Sequence, residues 1–383
     1  MTWCGRAGRL AVVWVALILV LASGAFAEPP SRTPSLPLPT KLATTYNLAQ
    51  TAVMLPDGRF VVGRWDGSLQ LWQRASLGVA KNTGPRILQT QAMPSGEGVQ
   101  MVAALDGGLI VSGHDGSSLA LWTVREDQLS LRSLLDYDPS LGAATSAAVV
   151  PRGIEKVLVV GHESGFVTLW RRGRLSLSLV GKVDVRSSQP VPSPYPLKHI
   201  RAVVPWRDGQ VITGSEDGDL VLLQLRAVEP PLSTVVAMSA MSAVVMARGR
   251  YSATAQRGIN ALALRGDRLA VASCAVGQQQ GNLHLLRVHP SRFEPLDEAR
   301  LQGDPGRAQV FAFSTLWAEP KNRPLLWVST QEGLLWQLML DGDKLRLVGQ
   351  VPVASNVGTA LVYDAEHQLL VAVGHEATVL RVP

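Results

Sequence analysis

Seven times along the chain an apolar run ends in a Gly-containing turn and restarts as a second apolar run. The first three copies close on tryptophan. They are Val61-Val62-Gly63-Arg64-Trp65-Asp66-Gly67 leading to Leu71-Trp72, Val111-Ser112-Gly113-His114-Asp115-Gly116 leading to Leu121-Trp122, and Val160-Gly161-His162-Glu163-Ser164-Gly165 leading to Leu169-Trp170. Looser copies follow around Gly214, Ser273, Ser329 and Gly374. A strand-turn-strand unit of this size cannot bury its own faces. It has to stack on copies of itself, so the repeat decides the architecture before any other feature does.

The turn positions Gly67, Gly116, Gly165, Gly218, Gly281, Gly333 and Ala377 recur at roughly 50 residues, slightly above the 40–45 of a four-stranded propeller blade. Each unit is preceded by a further apolar run ending in a turn signal, such as Pro56-Asp57-Gly58 or Arg207-Asp208-Gly209. Asp-Gly between apolar runs is a strong hairpin signal because both residues tolerate positive φ. The expectation is an inner, a middle and a third strand per unit, with a weaker outer strand after them. The first strands are apolar on successive residues, as expected when neighbours cover both faces. With 35 Gly, 24 Pro and 46% apolar residues, the chain has the makeup of a turn-rich, strand-rich protein.

A small residue, Gly, an Asp-Gly turn and an apolar strand closing on Trp together resemble the WD40 repeat. That resemblance implies an all-β fold: a seven-bladed β-propeller of four-stranded antiparallel blades. The likeness departs in detail. Trp72, Trp122 and Trp170 are followed by Gln73, Thr123 and Arg171 instead of Asp, and the family's Gly-His pair before the inner strand is missing. Its His-Ser-Asp-Trp hydrogen-bond network is therefore expected to be incomplete. The chain stops after the third strand of the last unit, whereas Lys41 to Leu48 is rich in strand formers. That segment is expected to complete blade 7 and close the ring, removing an exposed edge.

Residues 1–27 have the layout of a secretory signal peptide. Arg6 and Arg9 precede the apolar stretch Leu10 to Leu21, and Ala25-Phe26-Ala27 is a small-x-small cleavage site. Twelve apolar residues fall short of the ~20 that span a bilayer. Residues 28–40 form a Pro-rich leader, and 41–383 are expected to be one propeller domain in the periplasm or outside the cell. No membrane span and no nucleic-acid partner are expected. The formal charge falls only from +6 to +4 when Arg6 and Arg9 leave with the signal peptide. Of the two cysteines Cys4 leaves as well, so Cys274 has no intramolecular partner.

Three constellations could carry function. His114, His162 and His375 each follow a Gly and precede an acidic residue, which puts them at one height on one face. Such a set could ligate metal, but Arg64 and Ser215 break the ring, and no metal or other cofactor is expected. The acidic residues Asp66, Asp115, Glu163, Asp217, Glu332 and Glu376 could ring a channel mouth and hold calcium. Asp or Glu before Gly is also what these hairpins need in any case. Met238, Met241 and Met246 lie among small residues between blades 4 and 5, where copper(I) or a docking surface competes with an ordinary outer strand. No nucleophile–base motif is visible. The expectation is a non-catalytic, monomeric interaction module that binds a protein partner through Arg64, Trp65, His114, His162 and His375. The alternative is a metal-dependent hydrolase or cofactor-binding propeller using the central channel.

Overall fold

The computed structural model describes residues 38–382 apart from 47–48, 74–85, 95, 187–197, 229–239, 253–257, 277–279, 321–322 and 354–357. The expected signal peptide, nearly all of the leader, the Pro-rich segment 189–196 and Met238 lie outside the described residues.

After β1 (Thr40–Tyr46), four strands form each blade in chain order. Blade 1 is β2 (Ala49–Met54), β3 (Phe60–Arg64), β4 (Ser68–Trp72) and β5 (Ile87–Ala92). Blade 2 is β6 (Val99–Leu105), β7 (Leu109–His114), β8 (Ser118–Arg125) and β9 (Gln128–Asp136). Blade 3 is β10 (Ala144–Arg152), β11 (Glu155–His162), β12 (Phe166–Arg172) and β13 (Leu177–Asp184). Blade 4 is β14 (Ile200–Pro205), β15 (Gln210–Ser215), β16 (Asp219–Ala227) and β17 (Met241–Arg250). Blade 5 is β18 (Ile259–Arg265), β19 (Arg268–Val276), β20 (Leu283–His289) and β21 (Arg292–Ala299). Blade 6 is β22 (Gln309–Ala318), β23 (Leu325–Thr330), β24 (Leu334–Asp341) and β25 (Lys344–Pro352). Blade 7 is β26 (Gly358–Asp364), β27 (Leu369–Gly374) and β28 (Glu376–Arg381), completed by β1. Every neighbouring pair is antiparallel. The ring closes as the sequence implies, with Thr40 opposite Arg381 and Tyr46 opposite Glu376.

Apolar side chains fill layers between successive blades. Leu109, Val111, Leu119 and Leu121 of blade 2 pack on Ala144, Leu158, Val160 and Trp170 of blade 3. Phe60 and Trp72 of blade 1, stacked with ring centroids 5.5 Å apart, meet Val371, Val373 and Val379 of blade 7. This layering explains the glycine two positions before Asp115 and Glu163. A Cβ on Gly113 would stand 2.7 Å from the Ala144 carbonyl oxygen, and one on Gly161 2.6 Å from the Ile200 side chain. Blades 5 and 6 are also joined through backbone. β19 runs past its own partner and pairs with β22, placing Cys274 opposite Phe311 and Val276 opposite Gln309.

The core holds a polar network that the motif comparison did not anticipate. In blade 2 the Trp122 indole N–H donates to the Ser112 Oγ (2.8 Å), which lies 2.8 Å from the Nε2 of His114. In blade 3 the Trp170 indole donates to the Thr168 Oγ1 (2.8 Å), which lies 2.8 Å from the Nε2 of His162. Ser112 faces Ala120 across the ladder, while at the same register Val160 faces Thr168. The hydroxyl has crossed from the middle strand to the third strand without changing its partners. Each hydroxyl accepts from Trp and donates to a neutral imidazole.

Candidate functional site

The register slips by one residue at the same place in all seven pairings of inner and middle strands. The bulged residues are Gln50, Gln100, Thr145, Arg201, Asn260, Phe313 and Thr359. A bulge re-aims a side chain and increases local twist. Here it turns one residue per blade into the central channel, near the end where the inner strands begin. Three consecutive residues from each blade, starting with the bulge, line the channel together with Trp65, enclosing a volume of about 600 Å³.

These bulge residues also stitch blades together. The Thr145 Oγ1 donates to the Ile200 carbonyl (2.7 Å), the Asn260 Nδ2 to the Ala312 carbonyl (2.8 Å), and the Thr359 Oγ1 to the Ala49 carbonyl (2.9 Å). The Gln50 side-chain amide donates to the Gln100 carbonyl oxygen (2.6 Å), and Gln100 in turn donates to Asp115. Arg201 reaches back to Glu216, with its Nε 3.0 Å from the carboxylate. Residues that point into the channel thus hold its wall. A polar residue near the start of each apolar inner run is the signal that would have found six of the seven.

Of the sequence-derived site residues, Trp65 stands at the mouth and is 54% exposed. Arg64 is folded back onto Asp66 (2.7 Å) and the Ser68 hydroxyl (3.1 Å), with its side chain 17% exposed. Partial burial pushes the Asp66 carboxyl upward, but the Ser68 hydroxyl and amide and the Arg64 guanidinium outweigh it and hold it below the usual carboxylate range.

The expected histidine face does not exist. His114 and His162 are fully buried, because their rings cap the Trp–hydroxyl pairs inside the blades. Burial lowers the His114 pKa and brings that of His162 down to about 4, so both stay neutral. His375 is not their equivalent. At their register, opposite the start of the inner strand, blade 7 carries Gly374, and His375 forms the tight turn after it, half-buried.

The acidic residues turn toward neighbouring loops. Glu163 accepts the Ala143 amide (3.0 Å), and Glu332 accepts the amides of Gly303 (2.7 Å) and Asp304 (3.0 Å). Asp217 is buried against the Ser215 hydroxyl and Lys198. Among the described residues no group of three or more His, Cys, Asp or Glu is placed to hold a metal ion. Met241 packs in the layer between blades 3 and 4, and Met246 is an exposed bulge of the outer strand β17. The two are ordinary outer-strand residues, not a cluster.

The fold is that of the WD40 repeat propellers. The crystal structure of RRP9 WD40 repeats superposes with a TM-score of 0.63 at 17% identity, covering 91% of this chain and all of that one. The structure of U3-55K gives 0.61 at 16% identity over 90% of this chain and all of that one. A chain in the crystal structure of the mitotic checkpoint complex gives 0.60 at 11%, covering 94% of this chain and 98% of that one. No family model matches the sequence, and no curated protein matches it.

Proposed function

We propose that this chain is a non-catalytic protein-interaction scaffold of the periplasm or the extracellular space. It receives a protein partner at the channel mouth around Trp65, as an accessory to a respiratory or envelope assembly. The observation that carries this reading is Trp65 itself. A tryptophan half-exposed at the rim of an open channel keeps apolar area in water that a partner can cover, and Trp is enriched at binding hot spots. Around it, Gln50, Gln100, Thr145 and Asn260 form a polar collar already held in place by bonds between blades, which lowers the ordering cost of binding. One solved structure with this fold is a mitotic checkpoint complex, in keeping with a scaffold role.

The test is capture of partners from the periplasm by the tagged mature chain, followed by affinity measurement with the partner identified. Trp65→Ala is expected to weaken that affinity by about 2 kcal/mol or more, with the fold unchanged. Arg64→Ala is expected to have a smaller effect, since its guanidinium is engaged by Asp66. Wild-type affinity in the Trp65 variant would remove the mouth as the interface. N-terminal sequencing of the mature protein is expected to begin at Glu28, and retention of Met1 would overturn the compartment.

A further inference from the structure

Inner strands start at the Trp65 mouth and end on the opposite face, and third strands run the same way. The strand ends that border the inner–middle and third–outer turns therefore lie on that far face. At blades 3 and 4 it presents apolar tips in a basic field. Ile154, at the tip of the β10–β11 hairpin, is 104% exposed; Leu175, between β12 and β13, is 44% exposed; Val228, just after β16, is 41% exposed. The two blades are locked together here. The Gly153 amide donates to Asp208 (2.7 Å) and the Gly209 amide to the Pro151 carbonyl (2.6 Å).

Among the described residues of these four turns stand seven cations (Arg152, Lys156, Arg171, Arg172, Arg174, Arg207 and Arg226) and two carboxylates, Glu155 and Asp208. Arg152 pairs with Glu155, while Lys156 and Arg172 share Asp106 of blade 2. The Asp208 carboxylate is bonded to the Gly153 amide. Arg207 stacks on Trp206, 4.1 Å from the ring centroid, and the Trp206 indole is held by the Gly266 carbonyl (3.2 Å). Arg174, Arg207 and Arg226 have no ion-pair partner among the described residues. On blades 5 and 6 three cations at the same strand ends are paired, Arg265 with Glu319, and Arg268 and Arg287 with Asp343.

We propose that this face of blades 3 and 4 docks on a lipid bilayer surface carrying anionic headgroups. An acidic peptide would satisfy the arginines but not the apolar tips, of which Ile154 stands fully clear of the protein. Apolar tips beside exposed arginines suit a soft, planar, negatively charged partner. The tips enter the headgroup–acyl boundary while the guanidinium groups stay among phosphates. The surface is separate from the Trp65 mouth and does not rest on the function assigned there.

The experiment is co-sedimentation of the mature chain with vesicles of phosphatidylcholine mixed with phosphatidylglycerol, against vesicles of phosphatidylcholine alone. Stronger binding to the anionic vesicles is expected, falling with added salt. Replacing Arg174, Arg207 and Arg226 together by Gln is expected to lower it about a hundredfold, at about fivefold per arginine. Ile154→Ser is expected to lower it about tenfold, and Trp65→Ala to leave it unchanged. Thermal melting checks that each exposed variant folds. Equal binding to both vesicle types, or wild-type binding by the arginine and Ile154 variants, overturns the proposal. If vesicles are ignored while immobilised polyglutamate captures the chain through the same arginines, the face serves an acidic protein and the lipid assignment falls.

Discussion

Blades 2 and 3 are tied within themselves, whereas blades 5 and 6 are tied to each other. In the first pair, tryptophan, hydroxyl and histidine form a buried chain inside each sheet, and the two blades meet through an apolar layer with surface ion pairs of Asp106 to Lys156 and Arg172 at its edge. In the second pair, Leu286 and Leu338 stand where the tryptophans were. Blade 6 keeps one internal bond of this kind, from the Trp336 indole N–H to the Thr330 hydroxyl (3.2 Å), and the two blades share the β19–β22 backbone seam and the contacts of Arg268, Arg287, Lys344 and Asp297 across their boundary. The same register position serves differently as well. Thr168 holds His162 in blade 3, while in blade 5 histidine itself, His284, occupies that register opposite Val271 and bonds to the Gly281 carbonyl (3.2 Å). A blade can lose its signature residues and keep its place if the interface beside it takes over.

The largest effect is expected from cutting the internal chain. Ser112→Val leaves the Trp122 N–H and the His114 Nε2 buried without a partner, which costs about 2–5 kcal/mol of unfolding free energy. Adding Ala120→Thr puts a hydroxyl at the register of Thr168 and is expected to recover most of that loss. Denaturant unfolding of both variants measures it. A double variant no better than the single would show that the strand carrying the hydroxyl matters, and the two blades would not be interchangeable.

Acid reaches both halves. His162 and His284 are held by burial at about 4, below the ordinary 6.5, so the unfolded chain takes up protons that the native one refuses. Their contribution is complete above pH 6.5 and declines as pH falls toward 4, by roughly 3 kcal/mol for each histidine. Melting temperature against pH should fall through that window. His162→Gln and His284→Gln should each remove a comparable part of the slope, and His114, whose pKa burial also lowers, keeps the remainder. If one removes nearly all of it, only that blade governs acid sensitivity.

The smallest effect is expected from the ion pairs. Asp343 accepts Arg268 and Arg287 at the surface, and these partners hold its carboxyl below the usual range despite an opposing desolvation. Asp343→Asn should lower the melting temperature slightly at low salt and not at all at high salt. A large, salt-independent loss would mean that the ion pairs, not the backbone seam, join blades 5 and 6.

The repeat, the hairpins at Asp57-Gly58 and Asp208-Gly209 and the closing strand were legible in the sequence because each has a local signature. So was Trp65, a large apolar residue in a turn with little core to enter. His114 and His162 were misplaced because a residue after Gly at a strand end looks like a turn residue. It is the last ladder pair of the middle strand, and the polar neighbour that draws it inward lies across the sheet in Thr168 or two residues back in Ser112. The bulges carry no glycine and so no backbone mark. Only the recurrence of Gln50, Gln100, Thr145 and Asn260 inside apolar runs betrays them. The seam between blades 5 and 6 depends on strand length beyond a widened turn, which periodicity does not measure.

The pairing of β1 with β28 fixes the order of events when the chain folds. Neighbouring blades can form from contacts a few dozen residues apart, in any sequence. Blade 7 needs its outer strand from the other end of the polypeptide, and bringing ends about that far apart together costs on the order of 5 kcal/mol in chain entropy. Until β28 has been made, β1 has nothing to pair with and the ring stays open. The last step of folding is therefore a closure, and a chain cut short by a few residues would be left as an arc seeking a partner in another molecule.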